Sequence, residues 1–368
     1  MTTFITILIV ALAAAAGVYL TLRYALVFPL IDRPQRRPTE SSPSQSARVN
    51  RLRTHLRSIA TVPHNTHHYA ALEMAADYVV KTLSDFGYEP DIQSFIVDGN
   101  TPVRNISVCL KADHSAPTAI QASDTLEPGQ TERETLVIGA HYDSAGHSPG
   151  ANDNGSGVAA LLEICRDLRG FQPANQNIKL AFFVNEEAPY CKTPDMGSWR
   201  FAELLVKRGD RVSGMMALET LGYFSDQKGT QHFPFPFDHI YPDRGDFIAF
   251  VGLPKARAFT HAATKAFRDT ATFPSIGGIA PGVIPGIDLS DHWSFNQFGI
   301  PALMITDTAP FRNPYYHRLD DIPANVNCSA LAQITDGLVG MITTLAPGTQ
   351  NERPPHQPLA EASGSLAG

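Results

Sequence analysis

The side chains best equipped for chemistry are histidines and acids that arrive in separate stretches. "HYDSAGHSPGANDNGSG" (141–157) holds His141, Asp143, His147 and Asp153 and no Lys or Arg; "NEEAP" holds Glu186 and Glu187; "ALET" holds Glu219; "NPYYHRLDD" holds Tyr316 and His317. Carboxylates crowded together repel one another and keep their protons unless a cation sits among them. No lysine lies close in sequence to the first stretch, so the counter-charge must come from elsewhere. A mixed set of imidazoles and carboxylates suits zinc, and an acid lying between two ions can bridge them, holding two metals about 3.5–4 Å apart. The pattern calls for a metal pair.

Spacing suggests roles. A ligating histidine commonly donates its other ring N–H to a carboxylate, and residues two apart on a strand share a face, so Asp143 could orient His141 or act from the loop beyond. Adjacent Glu186 and Glu187 diverge in direction, which lets one hold metal while the other faces bound water as a base. Taken singly, each feature has an ordinary explanation: His-x-Asp as a turn, Glu-Glu as a solvated helix start, a lone Glu as a cap. His147, inside a Gly/Pro loop, reads as a surface residue. "SDHWSF", with Asp291 and His292, reads either as a support of the cleft or as a satisfied polar cluster. "QHFPFPFDHIYPDRGD" and "PSIGGIAPGVIPGID" are irregular apolar loops that either form side-chain pockets or cap the core.

These residues need elements to bring them together. Helix-period segments ("ALEMAADYVVKTLSDFG", "GVAALLEICRDLRG", "GSWRFAELLVKRG", "LAQITDGLVGMITTL") alternate with short apolar runs ("TLVIGA", "IKLAFFVN", "GMMAL", "FIAFVG", "PALMITD"). The alternation predicts an α/β fold, a mostly parallel central sheet with helices on both faces. Such sheets bind ligands beyond the carboxyl ends of their strands. His141 follows "TLVIGA", Glu186 and Glu187 follow "IKLAFFVN", Glu219 follows "GMMAL", and His317 lies in a loop beyond "PALMITD". Asp153 joins from the loop that opens a helix near Gly155.

The 368 residues, 43% hydrophobic, suffice for one large α/β domain, and a net charge of −7 provides no basic field for a nucleic acid. Four segments are expected: 1–31, an N-terminal transmembrane anchor or signal segment; 32–46, a Pro/Ser-rich linker; 47–345, the folded domain; and 346–368, a disordered tail. The first 22 residues carry no charge, and Phe4 to Leu22 could span a bilayer. A membrane anchor with an extracytoplasmic domain is expected, with a cleaved signal as the competing reading. Arg23, Arg33, Arg36 and Arg37 would instead hold that flank in the cytoplasm. Cys109, Cys165, Cys191 and Cys328 form no CxxC; Cys109 and Cys165, in apolar runs, read as buried free thiols.

"GAHYDS…GANDNGSGVAALLE", "FVNEEAP…MGSWRFA", "ALETLGY" and "SDHWSFNQFGIPALMITDTAPFRNPYYHRLDD" together, in order across nearly all of 47–345, resemble the M28 family of zinc peptidases, the group of bacterial leucyl-type aminopeptidases. The resemblance implies a zinc-dependent exopeptidase fold of the phosphorylase/hydrolase-like kind, with two zinc ions per chain. One would be held by His141, Asp153 and Glu219, the other by Asp153, Glu187 and His317, with Asp153 bridging. It also implies Glu186 as the general base acting on a metal-bridging water, Asp143 as the partner of the first histidine, and Tyr316 as a candidate for steadying the oxyanion. The Glu219 position is aspartate in many relatives, which leaves Asp226 as the fallback ligand. A peptide substrate and aminopeptidase activity follow as expectations. The rivals are a glutaminyl cyclase-like enzyme with one zinc and an inactive membrane-anchored interaction protein on the same fold.

Overall fold

A computed structural model of the chain describes residues 43–113, 133–234, 237–239 and 241–350, and residues 5–7, 9–10, 12–14 and 16–17 of the N-terminal apolar segment. The remainder of that segment, together with residues 18–42, 114–132, 235–236, 240 and 351–368, lies outside the described residues. So do most of the expected anchor, most of the linker and the outer part of the tail.

The apolar runs become the middle of an eight-stranded sheet. Its strands are β1 (Asp91–Val97), β2 (Thr101–Leu110), β3 (Thr135–His141), β5 (Asn177–Phe183), β6 (Val212–Glu219), β7 (Ile248–Gly252), β8 (Ser275–Ile279) and β9 (Ala302–Thr306), in the order β1-β2-β5-β3-β6-β9-β7-β8. A short ribbon pairs β4 (Phe171–Pro173) with β10 (Gly348–Gln350). Strands β5, β3, β6 and β9 run parallel, in a register that sets His141 opposite Phe183 and Glu219 opposite Thr306. All four therefore end at one edge.

Side chains alternate across these strands, and both faces are covered. On one face Leu136, Ile138, Leu180, Phe182, Met216 and Leu218 meet α1 (Pro43–Ile59), α2 (Tyr69–Asp85), α3 (Gly155–Asp167), α5 (Arg257–Thr270) and α7 (Cys328–Leu345) in one large core. On the other, Val137, Phe183, Met215 and Ala217 meet α4 (Gly197–Lys207) and α6 (His292–Gln297) through Phe201, Leu205 and Phe295. Packing is close enough that a Cβ added at Gly139 would sit 2.2 Å from the Phe183 ring. Helix α7 is long and apolar enough to cross a membrane, yet its Leu331, Ile334, Leu338 and Met341 are fully buried in the first core. It is a core helix.

The structure departs from the sequence expectations in four places. The sheet is parallel at its centre and in four of its seven strand pairs but mixed toward its edges, where β1–β2, β2–β5 and β7–β9 pair antiparallel. The turn joining β1 to β2 explains the first of these, since Asp98 and Gly99 both take φ above zero, at 50° and 77°, as a tight hairpin requires. Helix α1 starts at Pro43, inside the expected linker. Its Val49, Leu52, Leu56 and Ile59 are buried, while Arg51 reaches Glu163 at 2.7 Å and Arg48 pairs with Asp167 on α3. Residues 348–350, expected in the tail, are held in β10 by pairing with β4. All four cysteines are free; Cys165 is buried, but Cys109 is only half-buried on β2.

Candidate metal centre and adjoining pocket

The carboxyl edge of the parallel strands collects the acids and histidines. His141 ends β3, and its Nε2 lies 3.2 Å from Glu219 Oε2, 3.5 Å from Asp153 Oδ1 and 3.8 Å from Glu186 Oε2. His317 Nε2 lies 2.9 Å from Asp153 Oδ2 and 3.3 Å from Glu187 Oε1. Three candidate triads result, His141–Asp153–Glu219, Asp153–Glu187–His317 and His141–Glu186–Glu187, each with its donor atoms within 4.8 Å of one another. The first two share Asp153, one oxygen toward each. Glu219 is thus part of the cluster, whereas Asp226 is exposed in the following loop.

The donor set fits a pair of cations. His141 Nε2, Asp153 Oδ2 and Glu187 Oε1 are buried and have no hydrogen-bond partner despite their proximity. Buried polar atoms are rarely left so, and these converge. Without a cation, burial pushes the Glu187 carboxyl up to about 7 and the Glu219 carboxyl up to about 8, the neighbouring Asp153 charge adding to each. Glu186 is held well above the usual carboxyl range by burial, with Glu187, Glu219 and Asp291 reinforcing and His141 opposing. Burial alone would lower the two histidines, but the surrounding carboxylates outweigh it and hold His317 up to about 11 and His141 well above its usual value. Divalent cations would replace these protons as counter-charge.

A framework of hydrogen bonds fixes the ligands. Asp143, buried behind His141, accepts from the backbone N–H of Glu186 on Oδ1 and of Glu187 on Oδ2, each at 3.1 Å. His141 Nδ1 donates to the backbone carbonyl of Asp143 at 3.1 Å, and the Asp143 carboxylate stands off at 3.6 Å. The expected histidine partner is thus, in the main, the residue's carbonyl, while its carboxylate ties the Glu186–Glu187 loop to β3. Asn154 caps α3 by accepting from Gly157 N–H, accepts from Thr220 N–H at 3.0 Å and donates to Leu218 O at 2.8 Å, joining the Asp153 loop to the end of β6. Asn185, Thr220 and His317 hold φ of 61°, 51° and 57°, left-handed conformations that cost non-glycine residues about 1–3 kcal/mol each and persist where the surroundings enforce them.

Sequence reasoning missed three supports. Asp321 accepts from the backbone N–H of Asn152 and Asp153, at 2.8 and 3.0 Å, and so sets the bridging residue. Asp307 accepts from Tyr223 N–H at 2.8 Å and from Asn152 Nδ2 at 3.0 Å. Ser290 Oγ donates to Glu219 Oε2 at 2.8 Å. The only signal available was the second Asp of "HRLDD". Asp291 is fully buried, with Ser198 beside its carboxylate, and His292 of "SDHWSF" donates through Nε2 to Ile287 O at 2.9 Å. His147 lies exposed in its loop.

Beside the centre opens an apolar pocket. Both apolar stretches singled out in the sequence do line it, the first through Phe233 and Phe237 and the second through Ile284, although the second is irregular only after β8, whose last residue Ile279 also lines the pocket; Leu289, and Met304 of β9, complete this part of the wall. Glu219, Thr220 and Tyr316 stand where the pocket adjoins the metal ligands, and the Tyr316 ring stacks on His317 with centroids 3.9 Å apart. Burial raises the Tyr316 phenol further above its usual value, Asp153 and Glu187 adding to this, so it stays a donor.

Comparison with known proteins agrees with this geometry. The profile of Peptidase family M28 matches residues 124–342. The Escherichia coli protein YfbL is 33% identical over 314 residues, covering 83% of this chain and 89% of that protein. A probable leucine aminopeptidase of Arthroderma otae is 28% identical over 226 residues, 58% of this chain and 54% of its own, so the chain spans about half its length. Among solved structures, the zinc aminopeptidase BSAP of Bacillus subtilis superposes with a TM-score of 0.61 at 14% identity, covering 81% of this chain and 95% of that one. A glutaminyl cyclase of Tannerella forsythia superposes at 0.52 and 18% identity, covering 86% and 100%.

Proposed function

The chain belongs to peptidase family M28, and on that premise we propose that it is a two-zinc aminopeptidase removing large apolar residues from the N-termini of peptides. The observation that carries the reading is Asp153, whose two oxygens face two complete triads. Among the described residues lining the pocket, Glu219 is the one charged group, and there is no Arg or Lys. An acid at the mouth of an apolar pocket suits a substrate with a free amine and a large apolar side chain, and offers nothing to a terminal carboxylate.

His141, Asp153 and Glu219 would hold one zinc and Asp153, Glu187 and His317 the other. Bound there, zinc supplies Lewis-acid activation of a carbonyl and of water. Glu186, within the cluster but outside both shared triads, takes the proton of the attacking water and returns it to the leaving amine. Asp143 keeps Glu186 in place through the backbone it grips. Tyr316, protonated and next to His317, donates to the oxyanion. The pocket seats the side chain of the residue to be released. We also propose that the uncharged stretch Phe4 to Leu22 tethers the chain to a membrane.

The test is zinc content of the purified chain after reconstitution and desalting, followed by a panel of aminoacyl substrates. About two zincs per chain with release of leucine or phenylalanine supports the reading. One zinc with pyroglutamate formation would replace it by the cyclase-like alternative, and an absence of both metal and turnover would leave an interaction protein.

A further inference from the structure

We propose that Lys192 and Asp288 form a clasp that sets the width of the apolar pocket and thereby the preference among N-terminal side chains. The inference rests on the pocket seating that side chain. The outer wall of the pocket is the loop 281–289, which contributes Ile284, Pro285, Gly286, Ile287 and Leu289. This loop is built from turns: Ile284 N–H donates to Pro281 O at 3.1 Å and Ile287 N–H to Ile284 O at 3.3 Å. Val283, at its tip, is 90% exposed. Two polar ties run from it to the body: the His292 bond to Ile287 O at its rear, and the ion pair of Asp288 Oδ1 with Lys192 Nζ at 2.7 Å.

Lys192 lies outside the pocket lining, on the segment that follows Glu186 and Glu187, and so anchors the loop from behind rather than facing it across the cavity. It follows the turn in which Tyr190 and Cys191 donate N–H bonds to Glu187 O, at 2.9 and 3.2 Å, and its own N–H donates to Met196 Sδ at 3.0 Å. Its φ of 57° is left-handed, so the backbone holds its side chain out at a defined angle rather than letting it trail along a helix. Asp288 is equally constrained, because it packs against Gly282, where an added Cβ would meet its Oδ2 at 2.9 Å. The pair joins segments 96 residues apart and connects the loop bearing Glu186 and Glu187 to the pocket wall. The side chains are 35% and 16% exposed, shielded enough to outlast a bare surface pair yet open to salt.

A large side chain presses on this wall and needs it held in; alanine does not reach it. Asp288→Asn and Lys192→Met should each raise KM for a leucyl substrate about fivefold, equivalent to about 1 kcal/mol, with kcat little changed. Alanyl substrates should be unaffected, so the leucine-to-alanine ratio of kcat/KM falls by the same factor. The charge-swapped Lys192→Asp/Asp288→Lys chain should restore it. Raising salt on the unmodified enzyme gives the same readout without a substitution: KM for leucyl substrates climbs while that for alanyl substrates stays flat. An unchanged ratio in both single variants and in salt overturns the clasp, as does an equal loss on both substrates that the swapped chain leaves uncorrected. An unmodified enzyme with no preference for leucine over alanine overturns the pocket reading itself, a result distinct from failure of the clasp alone.

Discussion

Replacing Asp143 by Asn probes the tie between β3 and the base loop while preserving size. The carboxylate accepts two backbone N–H groups, from Glu186 and Glu187, at 3.1 Å each, and is 2% exposed. Asparagine has one acceptor oxygen, so one bond survives in weaker, uncharged form, and the amide NH2 faces the other N–H, donor against donor. Losing charge assistance and stranding a buried donor costs about 2–4 kcal/mol. The Glu186–Glu187 backbone would then relax, and supports of metal ligands typically carry about 10–100-fold in metal affinity or activity. Urea unfolding, zinc content and kcat on a leucyl substrate should therefore all move together. An Asp143→Asn protein with unaltered stability and turnover would refute the argument that Asp143 positions the loop; loss of stability with unaltered turnover would confine its role to folding.

Three further outcomes follow. Glu186→Gln should keep both zinc and fold while kcat drops by about 10²–10⁴-fold, as for loss of a general base; near-normal turnover would remove Glu186 from that role. Ser290→Ala deletes the hydroxyl donor to Glu219 and should weaken zinc binding about tenfold or more, seen as earlier loss of metal in a chelator titration, with unchanged affinity counting against it. Metal-free protein should lose stability as pH rises from about 5 to about 8. Glu187 and Glu219 are raised when folded, to about 7 and about 8, so the folded state binds more protons above the ordinary carboxyl range. The stability they contribute is complete below that range and is lost as pH climbs through the raised values. Denaturant titrations across that window should show the slope without zinc and lose most of it with zinc; a flat metal-free profile would refute the assignment.

The acids and histidines of the cluster were legible in the sequence because His141, Glu186, Glu187 and Glu219 stand at or just beyond the ends of apolar strands that the parallel sheet aligns: once "TLVIGA" and "GMMAL" are parallel neighbours, His141 and Glu219 must meet. The apolar loops were legible only as alternatives, since nothing in "PSIGGIAPGVIPGID" says whether it closes over a core or around a cavity. β2 escaped notice because it carries Arg104, Asn105 and Ser107, and its buried Asn105 is satisfied by Gln93 on β1 and by the distant Gly197 O and Val184 N–H. The first turn of α1, residues 43–46, read as linker because its Pro, Ser and Gln content carries no apolar signal; the apolar stripe begins at Val49, and the polar Arg48 and Arg51 beside it are matched by Asp167 and Glu163 on another helix. Asp321 and Ser290 act on residues 168 and 71 positions away, so no local pattern could announce them.

The two triads built on Asp153 share a carboxylate but not an environment. His141, Asp153 and Glu219 are all buried, whereas the His317 side chain is 41% exposed. If both triads hold zinc, a chelator approaching from solvent would meet the half-exposed His317 before the buried His141 and Glu219. Demetallation should therefore be sequential, passing through a long-lived form with one ion at the inner triad, and metal exchange should be fast at one position and slow at the other. An enzyme built this way would carry a permanent inner ion and a replaceable outer one, so that its activity could follow the free zinc around it while its fold did not.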